Sequence, residues 1–124
     1  MRKATVSLPS ALLYASATSE AVLQDEILYG MEVTVNQEAV LNGMCEVTSD
    51  YGYSGFVSSG ALCDGKYPAN RVVTARSAHL MKQPRVDSVQ EMCVPQGSLL
   101  ICMGETADGW SQIQPAGMSG ILYT

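Results

Sequence analysis

The sequence predicts an all-β protein built from two tandem small β-barrels. Short segments of alternating apolar and polar residues are separated by turn residues, which is typical of short strands. Eleven glycines and five prolines favour turns over long helices. A set of landmarks recurs at nearly constant spacing, which indicates a tandem repeat. The 124 residues suffice for one ordinary domain or for two very small ones.

The repeat defines the predicted domain organisation. Three landmarks recur at one common offset: Ser10-Ala11 as Ser77-Ala78, Leu13 as Leu80, and Gly30 as Gly97. The offset is one residue shorter where Gly43-Met44 recurs as Gly109-Trp110. It is two residues shorter for the last landmarks: Gly52 recurs as Gly117, Gly55 as Gly120, and Phe56-Val57 as Ile121-Leu122. The segment from Cys63 to Asn70 (CDGKYPAN) has the composition of a linker. We therefore predict a first copy at residues 1–65 and a second at 66–124.

Each copy contains segments that alternate as strands do. In the first copy the predicted strands are residues 5–8 (TVSL), 31–35 (MEVTV), 44–47 (MCEV) and 53–57 (YSGFV). Turn signals separate them at Tyr29-Gly30, Asn42-Gly43 and Tyr51-Gly52, and Asp108-Gly109 marks a hairpin in the second copy. Residues 20–28 are ambiguous between a helical turn and a loop edge. Several short strands at this spacing favour a small barrel.

Charge and hydropathy exclude several classes of partner. The net charge of −5 does not suit nucleic acid, because an acidic chain repels phosphate. No run of about 18 apolar residues is present, so no membrane span is predicted. The N-terminal segment MRKATVSLPS carries two basic side chains without an apolar stretch behind them, which is not a signal peptide. If the natural protein is exported, we expect its signal outside this chain.

Cysteine and histidine do not form a recognisable catalytic or metal motif. No two of the four cysteines have C-x-x-C spacing, and His79 is the only histidine. A cysteine hydrolase needs a thiolate paired with histidine, and His79 has no counterpart in the repeat. We predict no catalytic residues, no metal and no cofactor. The cysteines are expected to be buried apolar residues with reduced thiols, a disulfide being the alternative.

The order of motifs resembles the bacterial SH3-like domain, present twice. The first copy carries Leu13-Tyr14, Leu28-Tyr29-Gly30, GMCEV at residues 43–47 and YSGFV at residues 53–57, and the second carries GWSQI at residues 109–113 and MSGIL at residues 118–122. The resemblance implies two tandem small SH3-like β-barrels. Such domains often precede cell-wall cysteine peptidases of the NlpC type and can help to bind the peptidoglycan stem peptide.

The stretch SGFV at residues 54–57 also resembles the nucleophile helix of those peptidases. There the pattern is Asp-Cys-Ser-Gly-Phe-Val, and Tyr53 stands here in place of the cysteine. A similar segment recurs in the second copy, and a nucleophile helix would not occur twice in 124 residues. This segment is therefore interpreted as a strand, and the chain is not expected to be an enzyme by itself.

Aromatic and acidic residues concentrate in the first copy. In the alignment Tyr14, Tyr29, Tyr51, Tyr53 and Phe56 match the non-aromatic residues Met81, Gln96, Ala116, Met118 and Ile121. Residues 1–66 hold three basic and eight acidic residues, whereas residues 67–124 hold four of each. Aromatic faces and carboxylates together can hold an amine-bearing peptide. The candidate ligand-binding residues are Tyr14, Tyr29, Glu46, Asp50, Tyr51 and Tyr53.

Two functions remain open at this point. The favoured one is a non-catalytic module that recognises peptidoglycan stem peptide or positions a cell-wall peptidase on it. The alternative is a structural or protein-interaction module that docks a partner domain, with the tyrosines only packing and the acids forming a solvated face. Trp110 is expected in the core. The expected partner is a peptidoglycan-derived peptide or a C-terminal peptidase domain. The cell wall or extracellular space is the favoured location, and the cytoplasm remains open because this chain carries no signal peptide.

Overall fold

The computed structural model describes residues 2–18 and 21–124, without the side chains of residues 39 and 40. Seven strands form the first barrel: β1 (Arg2–Val6), β2 (Ser10–Tyr14), β3 (Leu23–Leu28), β4 (Glu32–Leu41), β5 (Met44–Ser49), β6 (Ser54–Ser58) and β7 (Leu62–Asp64). A 3-10 turn, Ser59–Ala61, joins β6 to β7. Six strands form the second barrel: β8 (Arg71–Val72), β9 (Ser77–Met81), β10 (Gln90–Pro95), β11 (Leu99–Glu105), β12 (Ser111–Gln114) and β13 (Leu122–Tyr123).

The two sheets have the same strand order. The first runs β3-β2-β6-β5-β4-β1-β7 and the second β10-β9-β13-β12-β11-β8, with neighbouring strands antiparallel in both. Each strand of the second sheet therefore takes the place of one strand of the first, and β7 alone is additional. The predicted all-β fold of two tandem SH3-like barrels is confirmed. The predicted boundary between residues 65 and 66 falls between β7 and β8, and its exact position stays a prediction.

The hydrogen bonds repeat at the offset found in the sequence. The Val6 N–H donates to the Met31 carbonyl, and at the common offset the Val73 N–H donates to the Ser98 carbonyl. Gly30 and Gly97 occupy equivalent turns at φ of 82° and 94°, a region that favours glycine. The match of Gly30 with Gly97 is therefore correct.

The predicted match of Gly55 with Gly120 is wrong. In the first barrel Glu46 lies opposite Phe56, and in the second its counterpart Gln112 lies opposite Tyr123. Phe56 therefore corresponds to Tyr123, and Gly55 to Leu122. The chain from Gln112 to Tyr123 is one residue longer than the chain from Glu46 to Phe56, which accounts for the change in alignment. Where the sequence suggested a strand over residues 118–122, the structure has the shorter strand Leu122–Tyr123. A second consequence is that aromatic residues at repeat positions are not confined to the first barrel.

The segment that begins at residue 20 is also corrected. Residue 20 lies outside the described residues, and β3 (Leu23–Leu28) is a strand rather than a helical turn or loop. Its pairing with β2 shifts register beside Gln24, because Leu13 lies opposite Asp25 and Tyr14 opposite Leu23. Such a bulge interrupts the alternation by which a strand is recognised in a sequence. The same shift recurs in β10, between Gln90 and Met92.

Two apolar clusters form the core, one for each barrel. The first is made of side chains from β1 to β7, including Leu13, Ile27 and Val47. The second includes Leu80, Val94 and Ile113, together with Tyr29 from the first barrel. The segment predicted as a linker is packed rather than free. The Tyr67 hydroxyl donates to the Gln114 carbonyl at 2.5 Å and accepts from the Ile101 N–H at 2.9 Å.

Candidate functional site

Tyr29 joins the two barrels. Its side chain has 0% exposure, and its hydroxyl accepts a hydrogen bond of 2.7 Å from the Ala116 N–H. Its ring meets Tyr67 edge to face at 6.3 Å between centroids. A ring enclosed in this way has no face for a ligand, so the prediction that Tyr29 lines a binding site is corrected. Its counterpart Gln96 is exposed, which explains why the repeat keeps no tyrosine there.

Tyr14 and Glu46 lie in one row across the outside of the first barrel. Both are directly opposite Phe56, Tyr14 from β2 and Glu46 from β5. Residues directly opposite each other in antiparallel strands place their side chains on the same face. Leu23 and Gln37 extend the row on β3 and β4. We call Leu23, Tyr14, Phe56, Glu46 and Gln37 the outer row; Phe56 is a member that the candidate set omitted.

The Glu46 carboxylate has no counter-charge among the described residues. It is half-buried, and it makes no hydrogen bond or ion pair with the described residues. A half-buried carboxylate beside an aromatic ring is a group that a ligand amine can satisfy, through a charge-assisted hydrogen bond and contact with the ring face. The equivalent row of the second barrel is Gln90, Met81, Tyr123, Gln112 and Gly104, in which no residue is charged.

A cleft opens beside the outer row. β2 pairs with β6 at a single position, Tyr14 opposite Phe56. The cleft measures about 290 Å³ and is lined by Leu8, Ser10, Ala11, Leu12, Tyr14, Met44, Ser58 and Ala61. Gly55 allows β6 to approach β2 closely, because a Cβ added at Gly55 would lie 2.6 Å from the Tyr14 carbonyl oxygen. Tyr14 therefore stands where the cleft meets the outer row.

Tyr51 and Tyr53 form a separate exposed group in the turn between β5 and β6. Their rings meet edge to face at 5.6 Å between centroids. The chain turns there, as the Tyr51-Gly52 signal predicted: the Gly52 N–H donates to the Ser49 carbonyl, and Gly52 has a φ of 94°. Asp50 is exposed in the same turn. The structure thus divides the remaining candidates into Tyr14 with Glu46, and Asp50 with the two turn tyrosines.

Three tyrosines make the fold sensitive to alkali. Burial raises the pKa of Tyr67 to about 12. Tyr51 is only partly covered, and this partial burial, together with the hydrogen bond and charge of the Asp25 carboxylate, raises the pKa of Tyr51 to about 12. Burial also raises the pKa of Tyr29 above its ordinary value. Because the folded protein holds these protons more tightly than the unfolded chain, the stabilisation is complete below about pH 10 and is lost as pH rises toward 12.

We therefore expect the urea concentration at the midpoint of unfolding to decrease as the pH is raised from 10 to 12. The decline should be smaller in Tyr51→Phe, which no longer has a hydroxyl to ionise. A flat midpoint across this range, or an unchanged decline in Tyr51→Phe, would contradict the assignment.

The second barrel contains a larger cleft at the equivalent place. It measures about 520 Å³ and is lined by Ala75, Ser77, Ala78, His79, Met81, Val86, Gln90, Trp110 and Thr124. Trp110 is half-buried in this cleft and belongs to neither core cluster, so the prediction that it lies in the core is wrong. Its counterpart Met44 is buried and lies opposite Ser58, and the Ser59 N–H is bonded to the Gly43 carbonyl. No aspartate or glutamate side chain lines the larger cleft, and most of its lining side chains are apolar, so it suits an apolar group.

The thiols and the histidine are not arranged as a catalytic pair. Cys93 lies directly opposite His79 in the pairing of β9 and β10, but the His79 Nδ1 is hydrogen-bonded to the Gln90 side chain at 2.5 Å. All four cysteines lie among the described residues and are unpaired. Within the described part of the chain, no three metal-ligating side chains come together, and no helix is long and apolar enough to span a membrane.

Comparisons with known proteins support the fold. No protein-family model matches the chain. An alignment 95 positions long, which covers 71% of this chain, is 32% identical to dipeptidyl-peptidase 6 of Lysinibacillus sphaericus and covers 35% of that protein. The crystal structure of an NlpC/P60 family protein from Bacillus cereus ATCC 10987 matches with a TM-score of 0.73 at 16% identity, over 98% of this chain and 53% of that one.

A weaker match is NlpC2 of Trichomonas vaginalis, with a TM-score of 0.44 at 14% identity, over 99% of this chain and 45% of that one. The chain thus spans about a third of its curated relative (35%) and about half of the Bacillus cereus chain (53%). The curated relative is named a dipeptidyl-peptidase, and the two-barrel fold is one that an NlpC/P60 family protein also contains.

Proposed function

We propose that this chain is a non-catalytic module that recognises the free amine end of a peptidoglycan stem peptide and so positions a cell-wall peptidase on it. The observation that carries the proposal is the outer row, in which Phe56 lies between Tyr14 and the Glu46 carboxylate, a group without a partner among the described residues. The amine would bond to Glu46, and the next residues of the peptide would lie over the rings. The cleft beside Tyr14 would take a small side chain.

The peptidase context supports this choice of ligand. The curated relative is named a dipeptidyl-peptidase, and the fold is shared with an NlpC/P60 family protein. No described thiol is paired with an imidazole, so the peptide would be held here and cleaved by a peptidase partner. The exposed turn with Asp50, Tyr51 and Tyr53 would add contacts to a longer peptide, outside the outer row.

Glu46→Gln tests the role of the carboxylate with little change in shape. The substitution installs the amide that Gln112 presents at the equivalent position of the second barrel. We expect the affinity for a free-amine stem peptide, of about micromolar to millimolar Kd, to fall about tenfold, because one charge-assisted hydrogen bond contributes about 1.5 kcal/mol. Isothermal titration calorimetry measures the change.

The matched control is Glu105→Gln, which removes the same charge from an exposed residue at the end of β11 in the second barrel. It should leave the affinity unchanged. Equal losses in the two variants would show that net charge alone attracts the peptide, and no loss in Glu46→Gln would remove Glu46 from the site.

The apolar cleft of the second barrel favours a second candidate, docking of a partner domain. The cleft is lined by the half-buried Trp110 and the exposed Val86, without an aspartate or glutamate side chain, which suits an apolar side chain from a protein surface. Titration with an NlpC-type catalytic domain, followed by Trp110 fluorescence, separates the two functions. Docking predicts a saturable change in Trp110 emission, which the stem peptide alone would not produce.

A further inference from the structure

A second row of side chains crosses the outside of the first barrel next to the outer row. Ser54 of β6 lies opposite Thr48 of β5, Thr48 lies opposite Thr34 of β4, and Thr34 lies opposite Lys3 of β1. Residues directly opposite one another place their side chains on the same face. Thr48 follows Glu46 by two residues in β5, so this face is the one that carries the outer row. We call Ser54, Thr48, Thr34 and Lys3 the hydroxyl row.

A bulge in β4 adds an amide to the hydroxyl row. The pairing of β4 with β5 shifts register between Val35 and Gln37, which leaves Asn36 without a residue opposite it. Bulges redirect side chains in this way. The Asn36 Nδ2 donates to the Thr48 Oγ1 at 2.7 Å, and the Thr48 Oγ1 lies 3.0 Å from the Ser54 Oγ. The bulge thus completes a chain of three hydrogen-bonded polar groups on the surface.

This chain ends in one hydroxyl proton that the protein does not use. The Thr48 Oγ1 accepts from Asn36, and either hydroxyl can donate to the other. Each hydroxyl has a single proton to donate, so one O–H of Thr48 or Ser54 is left over in both arrangements. Neither hydroxyl has a further hydrogen bond to the described residues. Because bonds in a chain polarise one another, the remaining O–H is a good donor to an acceptor group.

The lysine at the end of the row favours an anionic acceptor. The Lys3 Nζ donates to the Thr34 Oγ1 at 3.0 Å and lies 3.4 Å from a Glu32 carboxylate oxygen. The ammonium group therefore lies over the strand next to Thr48. A hydroxyl donor with a positive charge nearby suits a carboxylate better than a neutral carbonyl.

The second barrel shows that the fold does not require these polar groups. β11 shifts register between Cys102 and Gly104, so it has a bulge at Met103, the counterpart of Asn36. The counterparts of Ser54, Thr48, Thr34 and Lys3 are Ile121, Gln114, Ile101 and Asn70. The bulge is thus common to both barrels, whereas the hydroxyls and the positive charge belong to the first barrel alone.

We propose that the hydroxyl row binds a carboxylate carried by the second residue of a peptide whose free amine is bonded to Glu46. Glu46 and Thr48 are two residues apart in a strand, which is about 7 Å. Two residues of an extended peptide span about the same distance. The inference rests on the proposed function, since it requires the amine at Glu46, and it narrows the ligand to a peptide with an acid at this position.

The probes are the tripeptide amides Ala-Glu-Ala and Ala-Gln-Ala, each with a free amine. We expect Ala-Glu-Ala to bind about fivefold more tightly in a calorimetric titration, because only its side chain offers a charged acceptor. General electrostatics predict the opposite order. The chain has a net charge of −5, and Ala-Gln-Ala carries one more positive charge than Ala-Glu-Ala. A preference for the acidic peptide therefore has to come from local contacts.

The double variant Thr48→Val with Ser54→Ala locates the contact. It should abolish the preference by weakening Ala-Glu-Ala alone, whereas Ser119→Ala, which removes an exposed hydroxyl of the second barrel, should preserve it. A preference that survives in the double variant would overturn the inference.

The peptide comparison needs no variant and separates this inference from the proposed function. Equal affinity of the two peptides, with both weakened by Glu46→Gln, would leave amine recognition in place and overturn the carboxylate site. Tighter binding of Ala-Gln-Ala, or no binding of either peptide at millimolar concentration, would also overturn the inference.

Discussion

Tyr29→Ala should reduce the free energy of unfolding by about 3–5 kcal/mol, the usual range for removing a buried aromatic ring. The ring lies in the core cluster of the second barrel although the residue follows β3 of the first. Its removal leaves a cavity between the barrels and leaves the Ala116 N–H without its bond of 2.7 Å. Urea unfolding followed by Trp110 fluorescence measures the loss, because the only tryptophan lies in the second barrel.

The repeat supplies the control for this prediction. Gln96→Ala changes the equivalent position of the second barrel, where the side chain is exposed, and should alter stability by less than about 0.5 kcal/mol. A loss below about 1 kcal/mol in Tyr29→Ala would show that the ring does not join the barrels. A loss that leaves the Trp110 transition unchanged would show the same.

Gly30→Ala should be the second most damaging change. Gly30 has a φ of 82°, and a Cβ there would lie 2.1 Å from the Leu99 carbonyl oxygen of the other barrel. The backbone conformation alone costs an alanine about 1–2 kcal/mol. The clash adds to this cost, because two backbones held together by the Leu99 N–H bond to Tyr29 must separate.

Gly109→Ala isolates the conformational part of that cost. Gly109 has a φ of 85°, but no atom lies within 4 Å of its added Cβ. We expect about 1–2 kcal/mol for this variant and a clearly larger loss for Gly30→Ala, measured by the same urea titration. Equal losses would mean that the Gly30 turn moves freely away from Leu99, and that the barrels are not held together there.

The sequence predicted the fold well where its signals are local. The Asn42-Gly43 turn has φ angles of 55° and 71°, as a two-residue hairpin requires. The match of Gly30 with Gly97 is also local, because each glycine ends the same tight turn. The bulge in β3 could not be predicted, because an extra residue shifts the alternation without leaving a compositional mark.

The candidate site was less predictable, since it depends on register and on contacts between barrels. Tyr29 carries the same local pattern as an exposed turn tyrosine, and only its packing against Tyr67 and Ala116 shows it to be a core residue. Phe56 was set against Ile121 because the glycine pattern favoured that alignment, whereas strand pairing sets it against Tyr123. Cross-strand neighbours such as Phe56 and Glu46 become visible only when the register is known.

The most direct test of the account is an amide NMR titration with two stem peptides that differ only in the amine, one free and one N-acetylated. We expect the free-amine peptide to shift the amide resonances of residues around Tyr14, Phe56 and Glu46 in the first barrel. The acetylated peptide should bind there with at least tenfold lower affinity. Equal shifts with the two peptides, shifts centred on Trp110 and His79 in the second barrel, or no shifts at millimolar peptide would contradict it.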